Sequence, residues 1–217
     1  NFYPGRIHDG DWTDTVKLNY GSHDTWEKMR DILMFWAAKG VDGFRCDMVE
    51  LATVDFWEWC IPQIQKIYPD IIFIAEIYQP HNYHPYIRRG GFDYLYDKSG
   101  FYDTLRAISA GHTPASSLTS VWQGLGDFQP NMLNFLENHD EQRVASDFFI
   151  GDPRRSMAML YVSLLFNTAP FMIYFGQELG ERGMETEGYS GVDGRTTIYD
   201  FWSLSSVWRF LEGMDAG

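Results

Sequence analysis

Val41-Asp42-Gly43-Phe44-Arg45-Cys46-Asp47 is a short, largely apolar run that closes on a carboxylate. It reads as a β-strand, and its flanks decide the fold class. Upstream, Trp26, Met29, Ile32, Leu33, Trp36 and Ala37 fall at the three-and-four spacing of one helical face, which predicts a helix over Thr25–Ala38. Asp24 is placed to cap that helix, Glu27 follows three residues on, and Gly40 stops it. Downstream, Asp55–Ile67 predicts an aromatic-rich helix and Ile71–Glu76 a second strand. The alternation continues with strands at Phe92–Tyr96, Met132–Glu137 and Pro170–Phe175. Arg154–Phe166 predicts a further helix with Met157, Leu160, Tyr161, Leu164 and Leu165 on one face, capped by Asp152 with Pro153 in its first turn. Strands alternating with helices imply an α/β fold, with a parallel sheet covered by helices and function at the C-terminal strand ends.

Composition excludes several function classes. The 217 residues are 45% hydrophobic, enough to build a core. Seventeen basic against thirty acidic residues leave a net charge of −13, which argues against a nucleic-acid partner and against docking on anionic lipid. No apolar run approaches the roughly 18 residues that a membrane-crossing helix needs. Sixteen Phe, eight Trp and thirteen Tyr supply rings for a core and flat faces for sugars or other ligands to stack on. Cys46 and Cys60 have no Cys/His metal spacing around them and read as buried free thiols. The chain starts at Asn1 with no signal-peptide pattern, which leaves cytoplasmic and secreted or periplasmic locations equally open.

Acids close three of the strands. Asp47 ends the first, Glu76 ends the second, and Asn138-His139-Asp140 follows Met132–Glu137. Parallel strands would carry these ends to one rim. Side chains alternate along a strand, so Arg45 and Asp47 face the same way and Arg45 can hold Asp47 ionised. Taken alone, such a pair is as readily a structural ion bridge. An ionised carboxylate beside an arginine suits a nucleophile. Glu76, after the apolar run Ile71-Ile72-Phe73-Ile74-Ala75, suits a proton donor, because apolar surroundings keep a carboxyl protonated. Two such groups flanking one bond are what glycoside hydrolysis needs.

These residues carry a family resemblance. Gly43-Phe44-Arg45-Cys46-Asp47, Phe73-Ile74-Ala75-Glu76 and Phe135-Leu136-Glu137-Asn138-His139-Asp140 resemble the fourth-, fifth- and seventh-strand motifs of the α-amylase family, glycoside hydrolase family 13. Trp12…Leu18-Asn19-Tyr20 and Tyr174-Phe175-Gly176-Gln177-Glu178-Leu179-Gly180 support it. The resemblance implies a (β/α)8 barrel, with Asp47 as nucleophile and Glu76 as general acid/base. It implies that Asp140 stabilises an oxocarbenium-like transition state, that Arg45 orients Asp47, and that His139 binds the same sugar. The substrate would be an oligosaccharide or polysaccharide. The five strands match the fourth to eighth of that barrel. A complete barrel takes roughly 250 residues, so 1–217 is expected to be a single partial-barrel catalytic domain whose first three strands lie upstream. Open barrel edges predict self-association.

Two departures qualify the resemblance. Met48-Val49-Glu50-Leu51 stands where many members end in Lys-His, so an acid and an aliphatic replace a basic pair. This is closer to maltosyltransferase-like and oligosaccharide-active branches. Glu50 is then either a sugar contact or a solvated or capping acid. The family block with an Asp and an Asn-His pair, whose Asn often binds calcium, has no counterpart before Trp12, and His8-Asp9 does not replace it. No metal or cofactor is therefore expected in this chain, with a calcium ion left to the full-length protein. Tyr78 is a stacking candidate, while His81 and His84 either line the cleft or sit on the surface. Asp9-Gly10-Asp11 with Asp14 falls short of an EF-hand calcium loop. Gly188-Tyr189-Ser190-Gly191-Val192 misses the nucleophile-elbow pattern, and Gly124-Leu125-Gly126 lacks the third glycine of a dinucleotide loop. Gly188–Gly194 reads as a flexible loop.

The leading expectation is a retaining enzyme acting on α-1,4-linked glucans through a covalent glycosyl-enzyme. Its alternatives are an α-glucan transglycosylase and a non-catalytic amylase-like binding or scaffold subunit. Asp47, Glu76, Asp140 and Arg45 together speak against the scaffold. A further expectation is that this chain alone is inactive because its barrel is incomplete.

Overall fold

A computed structural model describes residues 17–183, 189, 191–200 and 204–215. His8, Asp9, Asp11, Trp12, Asp14, Gly188 and Ser190, named above, lie outside the described residues. The chain forms two units, residues 1–95 and 96–217.

The first unit runs α1 (His23–Ala37), β1 (Gly43–Cys46), α2 (Val54–Gln65), β2 (Ile72–Ala75), α3 (Tyr83–Arg88) and into β3 (Tyr94–Tyr96). β1 pairs parallel with β2 in the register Phe44↔Phe73 and Cys46↔Ala75, and β2 pairs parallel with β3 through Ala75↔Leu95. The strands approach closely at Gly43, where a Cβ would stand 2.7 Å from the Ile72 carbonyl oxygen. Only glycine fits there without moving backbone. α2 starts where the Thr53 hydroxyl accepts the Phe56 N–H (3.4 Å), the usual satisfaction of an orphan donor at a helix N-terminus. The core is aromatic. Phe56 and Phe73 are fully buried, and Phe56 packs against Tyr20 at 5.0 Å and Trp57 at 4.8 Å between ring centroids. Each such ring contributes about 1.5–3 kcal/mol by leaving water.

Asp24 does not cap α1. Ser22 holds the cap position, and Asp24 lies in the first turn, paired to Lys28 one turn on. That exposed ion pair pulls the Asp24 carboxyl below its ordinary range. Cys46 and Cys60 are free and buried, and burial pushes both thiols up to about 12.

The second unit holds α4 (Asp103–Ser109), α5 (Ser117–Leu125), β4 (Met132–Phe135), α6 (Met157–Leu165), β5 (Phe171–Met172) and α7 (Ser205–Asp215). β4 and β5 pair parallel through Asn134↔Phe171 and Phe135↔Met172. Just past β3, the Asp97 N–H donates to the Leu133 carbonyl of β4 (3.1 Å). Asp97 then caps a wide helical turn over Lys98–Tyr102, its Oδ1 accepting the Phe101 N–H (3.0 Å). Phe101, Leu105, Leu136, Val144 and Met159 form the core of this unit. Of the face expected to bury α6, Leu160 alone is partly buried against this core. Met159 and Ser163 point inward, whereas Met157, Tyr161, Leu164 and Leu165 are exposed. Asp152 and Pro153 organise a turn ahead of the helix, which begins after Ser156.

Candidate functional site

β1 delivers Arg45 and Asp47 from one face, and the parallel register sets the end of β2 beside them. The Arg45 guanidinium joins two acids. Nη1 donates to Asp47, and Nη2 stands 2.9 Å from Oε1 of Glu76. The acids sit in opposite environments, with the Asp47 side chain 71% exposed and that of Glu76 3%. Glu76 is not in the apolar pocket expected of it. Its Oε1 also accepts the Tyr78 hydroxyl at 2.5 Å, and its Oε2 accepts the Met48 N–H at 2.9 Å. Adjacent residues on β2 do bury apolar side chains, but the strand end turns the carboxylate toward the Tyr78 hydroxyl, the Met48 N–H and the Arg45 charge.

The Met48 N–H reaches Glu76 because Met48 adopts a left-handed conformation, φ 41° and ψ 54°. Among the described residues it is the one non-glycine with positive φ. Such a conformation crowds Cβ against the following carbonyl and costs about 1–2 kcal/mol. The turn is held from below, since Val49 N–H donates to the Glu76 carbonyl (3.1 Å) and Tyr86 Oη lies 3.2 Å from the Val49 carbonyl. Both oxygens of Glu50 are engaged inside the protein. Oε2 accepts the Tyr78 N–H (3.1 Å) and Oε1 accepts Asn82 Nδ2 (2.6 Å). Glu50 is half-buried, with each oxygen bonded to the loop after β2. His81 and His84 are exposed.

In the second unit, the loop after β4 carries His139 and Asp140. The Asn138 carboxamide oxygen accepts the N–H groups of Asp140 (2.8 Å) and Glu141 (2.9 Å), which sets the turn. His139 Nε2 lies 3.2 Å from Asp140 Oδ2, and the Asp140 side chain is half exposed. Behind them Glu137 is buried against Arg143 (2.8 Å) and accepts the Val144 N–H (2.8 Å). Burial raises the Glu137 carboxyl above its ordinary range, and the Arg143 charge offsets part of that. Arg143 also donates to the Phe175 carbonyl (2.7 Å) and the Thr196 hydroxyl (3.0 Å), and its guanidinium lies 4.2 Å from the Tyr174 ring centroid. Among the described residues no cluster of three or more His, Cys, Asp or Glu side chains forms a metal site.

Tyr78 and Glu76, two apart at a strand end, were findable as a pair from alternation alone. Asn82 and the Glu137–Arg143 pair gave no such signal, because each depends on loop geometry.

The alpha amylase catalytic-domain model matches residues 9–203. The chain belongs to the α-amylase family. An alpha-1,4-glucan:maltose-1-phosphate maltosyltransferase of Cereibacter sphaeroides is 42% identical over 55 residues, covering 25% of this chain and 9% of that protein. Alpha-amylase 3 of Dictyoglomus thermophilum is 25% identical over 201 residues, 82% of this chain and 37% of that protein. Cyclic alpha-maltosyl-(1→6)-maltose hydrolase of Arthrobacter globiformis, in complex with its cyclic saccharide, superposes with a TM-score of 0.67 at 22% identity over 91% of this chain and 44% of its own. The chain thus spans less than half the length of each of these proteins. The fold is that of an α-amylase-family (β/α)8 barrel in part, represented by five parallel strands and their helices.

Proposed function

We propose that the protein is a retaining glycoside hydrolase acting on α-1,4-linked glucans. The observation that carries this reading is the single Arg45 guanidinium joined to both Asp47 and Glu76. One fork can span the two acids only if they lie close together, and a short separation suits a nucleophile with an acid/base rather than a pair with a water between them. Asp47, exposed and oriented by Arg45, attacks the anomeric carbon as the glycosidic C–O bond breaks. Glu76, in its acid form, gives its proton to the departing oxygen. The glycosyl-enzyme then loses its sugar to water, which passes a proton back to the Glu76 carboxylate. By the family resemblance, Asp140 and His139 grip sugar hydroxyls.

Transfer to a sugar hydroxyl uses the same intermediate and is the second reading. The high local identity to a maltosyltransferase favours it. Product analysis separates the two, since transfer lengthens some maltooligosaccharides as others shorten.

The test uses the full-length protein with maltooligosaccharides and with α-maltosyl fluoride, whose fluoride departs without a proton. Glu76→Gln is expected to lower maltooligosaccharide turnover about 10²–10⁴-fold while sparing the initial burst of fluoride release, which reports formation of the glycosyl-enzyme before a base is needed. Asp47→Asn is expected to stop both, and NMR of the first product to show the α anomer. Full-rate cleavage by Asp47→Asn would sink the assignment.

A further inference from the structure

Glu50 stands three residues after Asp47, in the short helical turn Val49–Leu51, yet its bonds run to the loop after β2. It accepts from the Tyr78 backbone and from the Asn82 side chain, and so ties together the two ends of residues 78–82. Tyr78 turns back and donates its hydroxyl to Oε1 of Glu76. Glu50 and Glu76 therefore hold the same tyrosine, one by its N–H and the other by its hydroxyl. The turn that carries Glu50 is itself fixed. Tyr86 Oη lies within hydrogen-bond reach of the Val49 (3.2 Å) and Ala52 (3.0 Å) carbonyls, and the Trp57 indole donates to the Val49 carbonyl (3.3 Å). Burial, with the Glu50 charge nearby, pushes the Tyr86 hydroxyl up to about 12, which keeps it a neutral donor.

We infer that Glu50 is a positioning residue for Glu76, acting through Tyr78. The inference rests on the reading of Glu76 as the acid/base. Among the described residues, the Glu76 carboxylate is ion-paired to Arg45 and accepts from the Met48 N–H, both from β1 and the turn after it, while the Tyr78 hydroxyl reaches it from the loop after β2. Without Glu50, the Tyr78 N–H and the Asn82 amide lose their acceptor and residues 78–82 relax. The phenol then leaves Oε1, and the carboxyl turns about the Met48 hydrogen bond and the Arg45 ion pair that remain. A proton donor must meet the glycosidic oxygen within hydrogen-bond reach, so a small rotation acts on protonation and leaves the attack by Asp47 intact.

The experiment compares the unsubstituted full-length protein with Glu50→Ala, Glu50→Gln, Tyr78→Phe and the Glu50→Ala/Tyr78→Phe double variant, on maltooligosaccharides and on α-maltosyl fluoride. Glu50→Ala and Tyr78→Phe are each expected to lower kcat on maltooligosaccharides about 10-fold or more with KM within about 2-fold, and to slow the burst of fluoride release no more than about 3-fold. Glu50→Gln keeps the shape and one acceptor and is expected to fall between. The double variant is expected to be no slower than the worse single, because both substitutions break one chain of contacts. Equal losses on both substrates would reduce Glu50 to a structural residue, and additive losses or none would also overturn the inference. If Glu76→Gln spares the fluoride burst as stated while Glu50→Ala does not, this inference alone falls. If the unsubstituted protein turns over neither substrate, the acid/base reading falls and takes the inference with it.

Discussion

Two arginine–glutamate pairs sit at the ends of parallel strands, one in each unit, and they are built oppositely. Glu137 and Arg143 are closed off, with side chains 2% and 0% exposed and their bonding capacity spent on the protein. Glu76 is equally buried, but its Arg45 is 24% exposed and extends to an aspartate that faces solvent. The first arrangement holds loops in place. The second leaves a charged group reachable by a ligand, as the proposed catalytic pair requires. The residue types alone do not make this distinction, since each strand end offers an acid and an arginine nearby.

The largest expected break in this comparison is Arg143→Met. It strands Glu137 as an uncompensated buried acid and is expected to cost about 3–5 kcal/mol in chemical denaturation. Acidification should return part of that loss by neutralising Glu137, and pairing the substitution with Glu137→Gln should return most of it.

Asp97 sharpens the comparison from another side, as a buried acid with backbone donors in place of an arginine. Burial raises its carboxyl to about 6, against an ordinary value of 3.8. A folded value above the unfolded one means that the native state gains from protonation. The contribution is whole below pH 4 and is lost as pH rises through 6. Asp97→Asn is expected to remove that slope, so the unsubstituted protein loses up to ~3 kcal/mol relative to the variant between pH 4 and 7. Parallel denaturation curves at the two pH values check it.

The smallest effect concerns the turn that serves the open pair. Met48→Gly relieves a left-handed side chain and is expected to shift stability by no more than about 1 kcal/mol, whereas Met48→Val is expected to lower it. Thermal melts of the two variants decide the sign.

Much of this was legible in the sequence, and the exceptions share a cause. Strands β1 to β4 fall inside the segments that acid-terminated runs marked, because each is a short apolar run bounded by turn residues. β5 is shorter than Pro170–Phe175, ending at Met172. Helices α3, α4 and α5 are short, so Tyr83–Arg88, Asp103–Ser109 and Ser117–Leu125 did not stand out. At the site, the contact between Arg45 and Asp47 follows from strand alternation. That between Arg45 and Glu76 requires the β1–β2 register, which pairs Cys46 with Ala75. The roles of Glu50 and Met48 depend on a left-handed turn that no residue type announces.

Arg143 also bears on the order in which the molecule comes together. Its bond to Glu137 spans six residues and can close early, but those to Phe175 and Thr196 join segments 32 and 53 residues away. Contacts over such separations carry a larger loop-closure entropy and form late. The loop bearing His139 and Asp140 therefore reaches its final anchoring only after the segment around Thr196 has arrived, and its last step of maturation belongs to the end of folding.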